Sequence, residues 1–587
     1  MKQKRFLLTL FLVLFLAACS GKTIPNSGSA PSVTDLPTPT PSFAEFTTEL
    51  FLNEITADTI SLHYTLSYPE NYGLTEIPIS FGSFSSDSEG ADEADEADYN
   101  TAVREQLLSY PYTELTEEEQ MTYDTLLRTL DLSTQFENCS PYLSELLGPT
   151  TGYQAQLPLL LAEYRFNTKE DIETYLALLP CLYDYFDGIA DFEREKSAAG
   201  FFMNDDTANE IIRQCRDFAA ETDDNFLIST FEERVDNFPE LSVAEKTAYK
   251  LENRSAIFQS VLPAYDMLAN ALTELLGTGT NSYGLCYYDT GKDYYALSVR
   301  QATGSDRTIP ELRTMLENAL KNAYSSILQV VYHQPSVYQE FTSFTFPETD
   351  PEKILPMLMS ACENDFPVVD CQSYTIKYVP ASLQDYVSPA MYLTPPLDDY
   401  AGNSIYINPN PMYDLDSIFP TIAHEGYPGH MYQSVSALAL NMNPLRSILE
   451  PTGYSEGWAT YVENYSYAYT GCSAELVPFL KENSFSSLCL YALSDIYIHY
   501  DGYTPEKLNT FFRLYGFDEE VAGLVYTTIL EEPVAYLPYA VGYLEFLQLR
   551  EIAAELWQED YSDYRFHSFL METGALPFSL LEQRLTK

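Results

Sequence analysis

Positive charge is scarce in this sequence. Its 31 Lys and Arg stand against 86 Asp and Glu, for a formal net charge of -55. Loss of Lys2, Lys4 and Arg5 with a leader would take it to near -58. A field of that sign repels phosphate and excludes bulk electrostatic binding to nucleic acid or an anionic surface. Beyond the N-terminus no apolar run is long enough to span a bilayer, for which about 20 residues are needed. None of the nine cysteines has the close paired spacing of a zinc knuckle. Apart from Cys19 they number eight, which permits disulfides in an exported protein, and Cys362 and Cys371 are near enough to pair. No internal repeat is present. Histidine is rare too: six in 587 residues.

What is present begins with a leader. Lys2, Lys4 and Arg5 precede an apolar stretch from Phe6 to Ala18, followed by Cys19-Ser20-Gly21. A basic start, an apolar core and small residues make a secretory signal, expected over residues 1–18. Leu16-Ala17-Ala18-Cys19 matches the bacterial lipobox, so Cys19 is the expected site of lipid attachment. The plainer reading is an ordinary signal with an incidental cysteine. The expectation is an exported protein, anchored to the membrane by lipid and facing outside the cytoplasm. Residues 19–43, with Pro37-Thr38-Pro39-Thr40-Pro41, cannot bury enough apolar surface to order themselves and read as a tether.

Residues 44–587 are long enough for a large core, as one helical domain or two lobes. Apolar content of 45% and 48 Tyr mark a globular chain. The acidic run from Glu89 to Asp98 reads as a solvated loop, with a weak calcium site as the lesser reading. Glu170 to Phe186 and Asp205 to Phe218 suit amphipathic helices, and Ile309-Pro310-Glu311 opens another. Val368-Val369, Tyr374-Thr375-Ile376 and Ser404 to Asn408 read as strands. From Ser417 the helical pattern returns. The predicted class is mainly α: a large metallopeptidase-like helical body with a small β-sheet next to a metal-binding helix.

That helix carries Ala423-His424-Glu425-Gly426-Tyr427-Pro428-Gly429-His430. Zinc peptidases place two His on one helical face, with a Glu directly after the first that takes a proton from the attacking water. The usual spacing of four sets the imidazoles about 40° apart around the helix, whereas six leaves them about 120° apart. Pro428 removes an N–H and clashes with the carbonyl of residue 424. A single metal ion therefore requires a widened turn or a break between 424 and 430, and carbonyls near 422–425 should lose their usual partners. The alternative is two unrelated His flanking a helix end. Downstream, Glu456 and Glu463 lie seven apart on one helical face, and a carboxylate from a second helix would complete a site of two His and one Glu. Asp495 and His499 form an i, i+4 pair that either orients a core helix or offers a donor to an oxyanion.

The motifs together resemble the bacterial family catalogued as domain of unknown function 885, whose members are similar to the thermolysin-like (gluzincin) zinc peptidases. The resemblance rests on His-Glu-x-x-Pro-Gly-His at 424–430 and Glu456-Gly457-Trp458-Ala459-x-Tyr461-x-Glu463. Asp495-x-x-x-His499, Tyr539-x-x-Gly542, and Phe566-His567 with Gly574-Ala575-Leu576-Pro577 add to it. It covers nearly the whole chain after the tether. Met431 stands where members usually have a further His, and Val534-Ala535 replace a usual Gly-Gln after Pro533. The resemblance implies one Zn2+ ion held by His424, His430 and Glu456, with Glu425 as general base and Glu463 orienting a ligand. Tyr539 and His499 are the expected oxyanion donors, Tyr536 a weaker alternative, and Asp495 supports His499. The strand bearing Tyr406 and Asn408 precedes the metal helix, so its edge is the expected place for an extended peptide substrate. The expected function is a zinc-dependent peptidase acting outside the cytoplasm. A ligand-binding lipoprotein without turnover, or a metal-dependent amidase or esterase, is the alternative.

Overall fold

The computed structural model describes residues 41–587 except 76, 83–91, 370–372, 380–383, 385–387, 400–401 and 441. The leader, Cys19 and most of the tether lie outside the described residues, as does Cys371. The seven described cysteines are free thiols, so no disulfide forms among them. No described helix is long and apolar enough to cross a membrane.

The chain is mainly helical, with one three-stranded sheet: β1 (Tyr374–Tyr378), β2 (Ala390–Leu393) and β3 (Asn403–Ile407), in the order β1-β3-β2. β1 runs parallel to β3 and β2 antiparallel to it. Successive strand side chains point to opposite faces. Ile405 and Ile407 accordingly join one apolar core, built mostly from residues 285–585, while Tyr406 joins a second, built mostly from residues 147–272. The sheet thus lies between two helical cores and brings them together beside the His/Glu motif. A third cluster packs the first helices, from Phe43 to Leu130, against Leu445.

Local chemistry sets most boundaries. Pro310 sits in the first turn of the helix Ile309–His333, as expected, behind a Thr308/Glu311 capping box. Four expectations are corrected. The stretch Glu170 to Phe186 is not one helix but is broken at Pro180 into Lys169–Leu178, a short 3-10 turn and Leu182–Ala199. In the acidic run Glu89–Asp98, the first three residues lie outside the described residues, and Asp92–Asp98 is not loop but the start of the helix Asp92–Leu108. Val368-Val369 forms no strand, and Val368 is exposed. β3 is the central strand and has no free edge, because β1 pairs along its whole length and β2 along Ser404 to Ile407.

Candidate metal centre

The helix carrying the first histidine spans Phe419–Glu425, and a new helix runs from His430 to Ala439. Between them the backbone leaves helical geometry at Gly426 (φ -103°, ψ -101°) and Gly429 (φ -83°, ψ -136°), with a cis bond before Pro428. The Tyr432 N–H reaches back to the Gly426 carbonyl at 3.1 Å, bridging the break. A Cβ on Gly429 would stand 1.8 Å from the His424 carbonyl oxygen, so only glycine fits there. The break falls where the spacing required it. The Ile422 carbonyl does not lose its partner as expected, since it keeps the Gly426 N–H at 2.9 Å.

The fold brings His424, His430 and Glu456 together, with one ligand atom from each within 4.8 Å of the others. Glu456 lies on the helix Thr452–Ser466, fixed against the break by the Trp458 indole, which donates to the Pro428 carbonyl at 2.9 Å. His424 Nε2 stands 3.6 Å from one Glu456 oxygen and His430 Nε2 stands 3.5 Å from the other. These contacts are too long for good hydrogen bonds. His424 Nε2 and both Glu456 oxygens are buried with no hydrogen-bond partner, an arrangement that costs free energy unless something else fills it. Two ligands about 2.1 Å from one tetrahedral ion lie about 3.4 Å apart, so the donor set and its spacing fit zinc.

Around these three groups the other partners are in place. Glu463 stands 3.1 Å from His424 Nδ1, leaving Nε2 to face Glu456. Burial opposes charge on His424, but the Glu456 and Glu463 carboxylates outweigh it and raise its proton affinity well above the ordinary range. Glu425 is also buried; its Oε2 accepts the Tyr392 N–H of β2 at 2.8 Å. Burial first, opposed by His424 and His430, keeps the Glu425 carboxyl above its usual value. The Tyr539 ring lies nearly parallel to that of His424, with centroids 6.3 Å apart. Burial and the nearby Glu456 and Glu425 keep its phenol protonated far above its ordinary range.

Tyr539 is positioned by a feature that pattern reading missed. The helices Thr452–Ser466 and Leu537–Trp557 cross at Gly457 and Gly542. A Cβ on Gly542 would stand 2.1 Å from the Gly453 carbonyl oxygen and 2.7 Å from Gly457 Cα. The available signal was a glycine inside each helical pattern, which costs about 1 kcal/mol and so asks for a packing reason.

Other expected site residues take structural roles. His499 is buried with both nitrogens occupied: Nδ1 accepts the Leu285 N–H at 3.2 Å and Nε2 lies 2.8 Å from the Ile529 carbonyl. Burial lowers its pKa to about 4, and it has no N–H left for an oxyanion. The expected Asp495–His499 pairing is replaced by others. Asp495 accepts from the Tyr295 hydroxyl at 2.5 Å and from the Val534 N–H at 2.8 Å. The latter bond holds Val534 at φ 71°, a conformation unfavourable for a β-branched residue. The Tyr406 hydroxyl is tied to Glu163 and accepts from Lys377, and Asn408 braces a turn through the Gln384 carbonyl and the Asn410 N–H.

Fold and site together define a mainly helical protein with a buried His-His-Glu cluster at a glycine-lined helix break. The family model described as "Bacterial protein of unknown function (DUF885)" matches residues 82–585, and the chain belongs to that family. No curated protein matches the chain. Among solved structures it is similar to a proposed lipoprotein of Colwellia psychrerythraea, with 16% identity, a TM-score of 0.78 and coverage of 93% of this chain and 98% of that one. It is also similar to a proposed lipoprotein of unknown function from Shewanella oneidensis, with 17% identity, a TM-score of 0.64 and coverage of 93% and 100%. At these identities the likeness concerns the fold.

Proposed function

We propose that the protein is a zinc-dependent peptidase of gluzincin type, held outside the cytoplasm by lipid on Cys19. The observation that carries the reading is the trio of His424, His430 and Glu456 at ligand-like spacing, with His424 Nε2 and both Glu456 oxygens buried and without a hydrogen-bond partner. A bound zinc ion would supply a Lewis acid for a carbonyl and lower the pKa of water towards about 7.

The chain's own residues would divide the remaining work. Glu425, anchored through Oε2 by the Tyr392 N–H, keeps Oε1 to take the proton of the attacking water. Ion binding alone does not need this carboxylate, so its place beside the trio favours catalysis over simple binding. The Tyr539 phenol, kept protonated, donates to the oxygen that gains charge, a contribution typically of about 3 kcal/mol. Peptide substrates suit the sheet better than other amides. β2 is an edge strand whose side facing away from β3 lies against Glu425, so an extended chain paired there would pass the base. The lipid anchor rests on the lipobox, and the two similar solved structures, each described as a proposed lipoprotein, agree with it.

The test is a peptide library incubated with the purified mature protein, zinc-loaded or stripped by chelator, and read by mass spectrometry. Cleavage that needs zinc and disappears in Glu425→Gln supports the proposal. Stoichiometric zinc with no cleavage of any peptide sinks it.

A further inference from the structure

The trio opens into a cavity of about 1110 Å³ through His430, and the walls of that cavity come from both helical cores. Its volume lies just above the usual range of ligand sites, about 300–1,000 Å³, and suits a short peptide better than a single small metabolite. The charged groups on its wall are mostly of one sign. Among the described residues six glutamates line it, against one cation besides His430, namely Arg128. Arg128 is already engaged by Asp306 at 3.1 Å. Among the glutamates, Glu145 has Lys196 at 2.6 Å, whereas Glu450, Glu531 and Glu532 have no ion-pair partner among the described residues. Burial first, then the neighbouring Glu532, hold the half-buried Glu531 carboxyl up at about 7, so a cation bound beside it would draw it into its charged form.

Two unsatisfied amides on the same wall point to a ligand independently of the charge. Gln433, 9% exposed and one turn beyond His430, has a side-chain N–H2 with no partner. Asn100, 5% exposed and on the wall contributed by the first helices, has a side-chain oxygen with no partner. Buried groups of this kind are normally satisfied. A peptide would supply a carbonyl oxygen to the first and an N–H to the second.

From the one-signed wall and these two amides we infer that the cavity selects short peptides carrying positive charge, as a free α-ammonium or a basic side chain, and rejects acidic ones. This inference rests on the peptide reading of the same site and adds its substrate class. The net charge of -55 acts in the same direction, raising the local concentration of cationic ligands at low salt.

The experiment is calorimetric titration of the zinc-loaded full mature chain carrying Glu425→Gln, so that bound peptide is not consumed. Pentapeptides of equal length are compared: one with lysines, one with glutamates, and one neutral with a free or acetylated N-terminus. The lysine peptide should bind at least about tenfold tighter than the glutamate peptide at low salt. Adding Glu450→Gln or Glu531→Gln should shrink that preference severalfold without moving the melting curve. If one of these variants melts early, the other and the salt series carry the test. A preference for the free over the acetylated N-terminus assigns the cation to the α-ammonium, and equal binding of the two with the lysine preference intact assigns it to side chains. Equal affinity for lysine and glutamate peptides, a preference for glutamate, or binding of neither overturns the inference. Charge-selective binding with no cleavage by the unsubstituted chain would sink the peptidase proposal alone. Cleavage without charge preference would sink this inference alone.

Discussion

The crossing of the Glu456 and Tyr539 helices at Gly457 and Gly542 makes Gly542→Ala a sharp test of the site's construction. The new methyl would meet the Gly453 carbonyl oxygen at 2.1 Å and Gly457 Cα at 2.7 Å. Carbon and oxygen come to rest at about 3.3 Å, so the helices must part by about 1 Å. Both obstructing atoms belong to backbone, and neither can swing aside. Overpacking of this kind costs about 1–3 kcal/mol, and the upper end applies here. Alanine returns about 1 kcal/mol of helix propensity, leaving a net loss of about 2 kcal/mol. The Glu456 helix and His424 keep their own fastenings, Trp458 to Pro428 and Glu463 to His424, so zinc content should hold. Tyr539 rides on the displaced helix, and a misplacement of about 1 Å can cost about 100-fold in turnover. Gly523→Ala is the control: Gly523 is exposed in the helix Glu519–Glu531 with nothing within 4 Å of its Cβ position, and alanine there should stabilise by up to about 1 kcal/mol. The assays are thermal melting, metal analysis and peptide turnover on both variants. A Gly542→Ala protein that melts like Gly523→Ala and turns over normally would refute the argument.

Four further outcomes are expected. Glu425→Gln should keep its zinc and lose most turnover, at least about 100-fold; near-normal activity removes Glu425 from the chemistry. Glu456→Ala should lose the ion at concentrations that saturate the unsubstituted chain, while Glu463→Ala should weaken it by about 10–100-fold; metal analysis showing the reverse order would exchange the two roles. Since burial keeps Glu425 above the usual carboxylate range and the base works only when ionised, the acid limb of kcat/KM should lie above ordinary carboxylate pKa values, with activity falling as pH drops through it; a limb at the ordinary value contradicts the burial argument. Cys19→Ser should leave the protein soluble after cell fractionation with an unchanged melting curve, and continued sedimentation with membranes would mean another anchor.

Much of the fold was legible because helices announce themselves locally. A helix-opening residue such as Pro310 acts within a few residues of where it stands, and so does Pro180, whose break inside the expected helix from Glu170 to Phe186 was passed over. The sheet was half legible for the opposite reason. β1 and β3 carry β-branched and aromatic residues, but β2, Ala-Met-Tyr-Leu, has a single aromatic and no β-branched residue and exists because it pairs with β3. Missing it turned β3 from a central strand into a supposed edge and moved the peptide-pairing expectation from β2 to its neighbour. The roles expected of Asp495 and His499 failed in a similar way. An i, i+4 pair on one helix is close enough to interact, but Leu285, Ile529, Tyr295 and Val534 arrive from distant parts of the chain and take both side chains.

The break at 424–430 was legible for a reason that extends beyond this chain. Two histidines six residues apart, a glutamate between them and a proline four after the first make demands that no straight helix meets. A pattern that contradicts its own regular structure identifies a site more sharply than one that agrees with it, because only a compensating gain would preserve the contradiction. The structure has the cost in view: a helix interrupted after Glu425, two glycines outside helical geometry and three buried polar atoms without hydrogen bonds. Each of these is unfavourable alone. A divalent cation at the trio would satisfy all three atoms and tie the two helices together across the break, turning the interruption into the means by which both imidazoles reach one point.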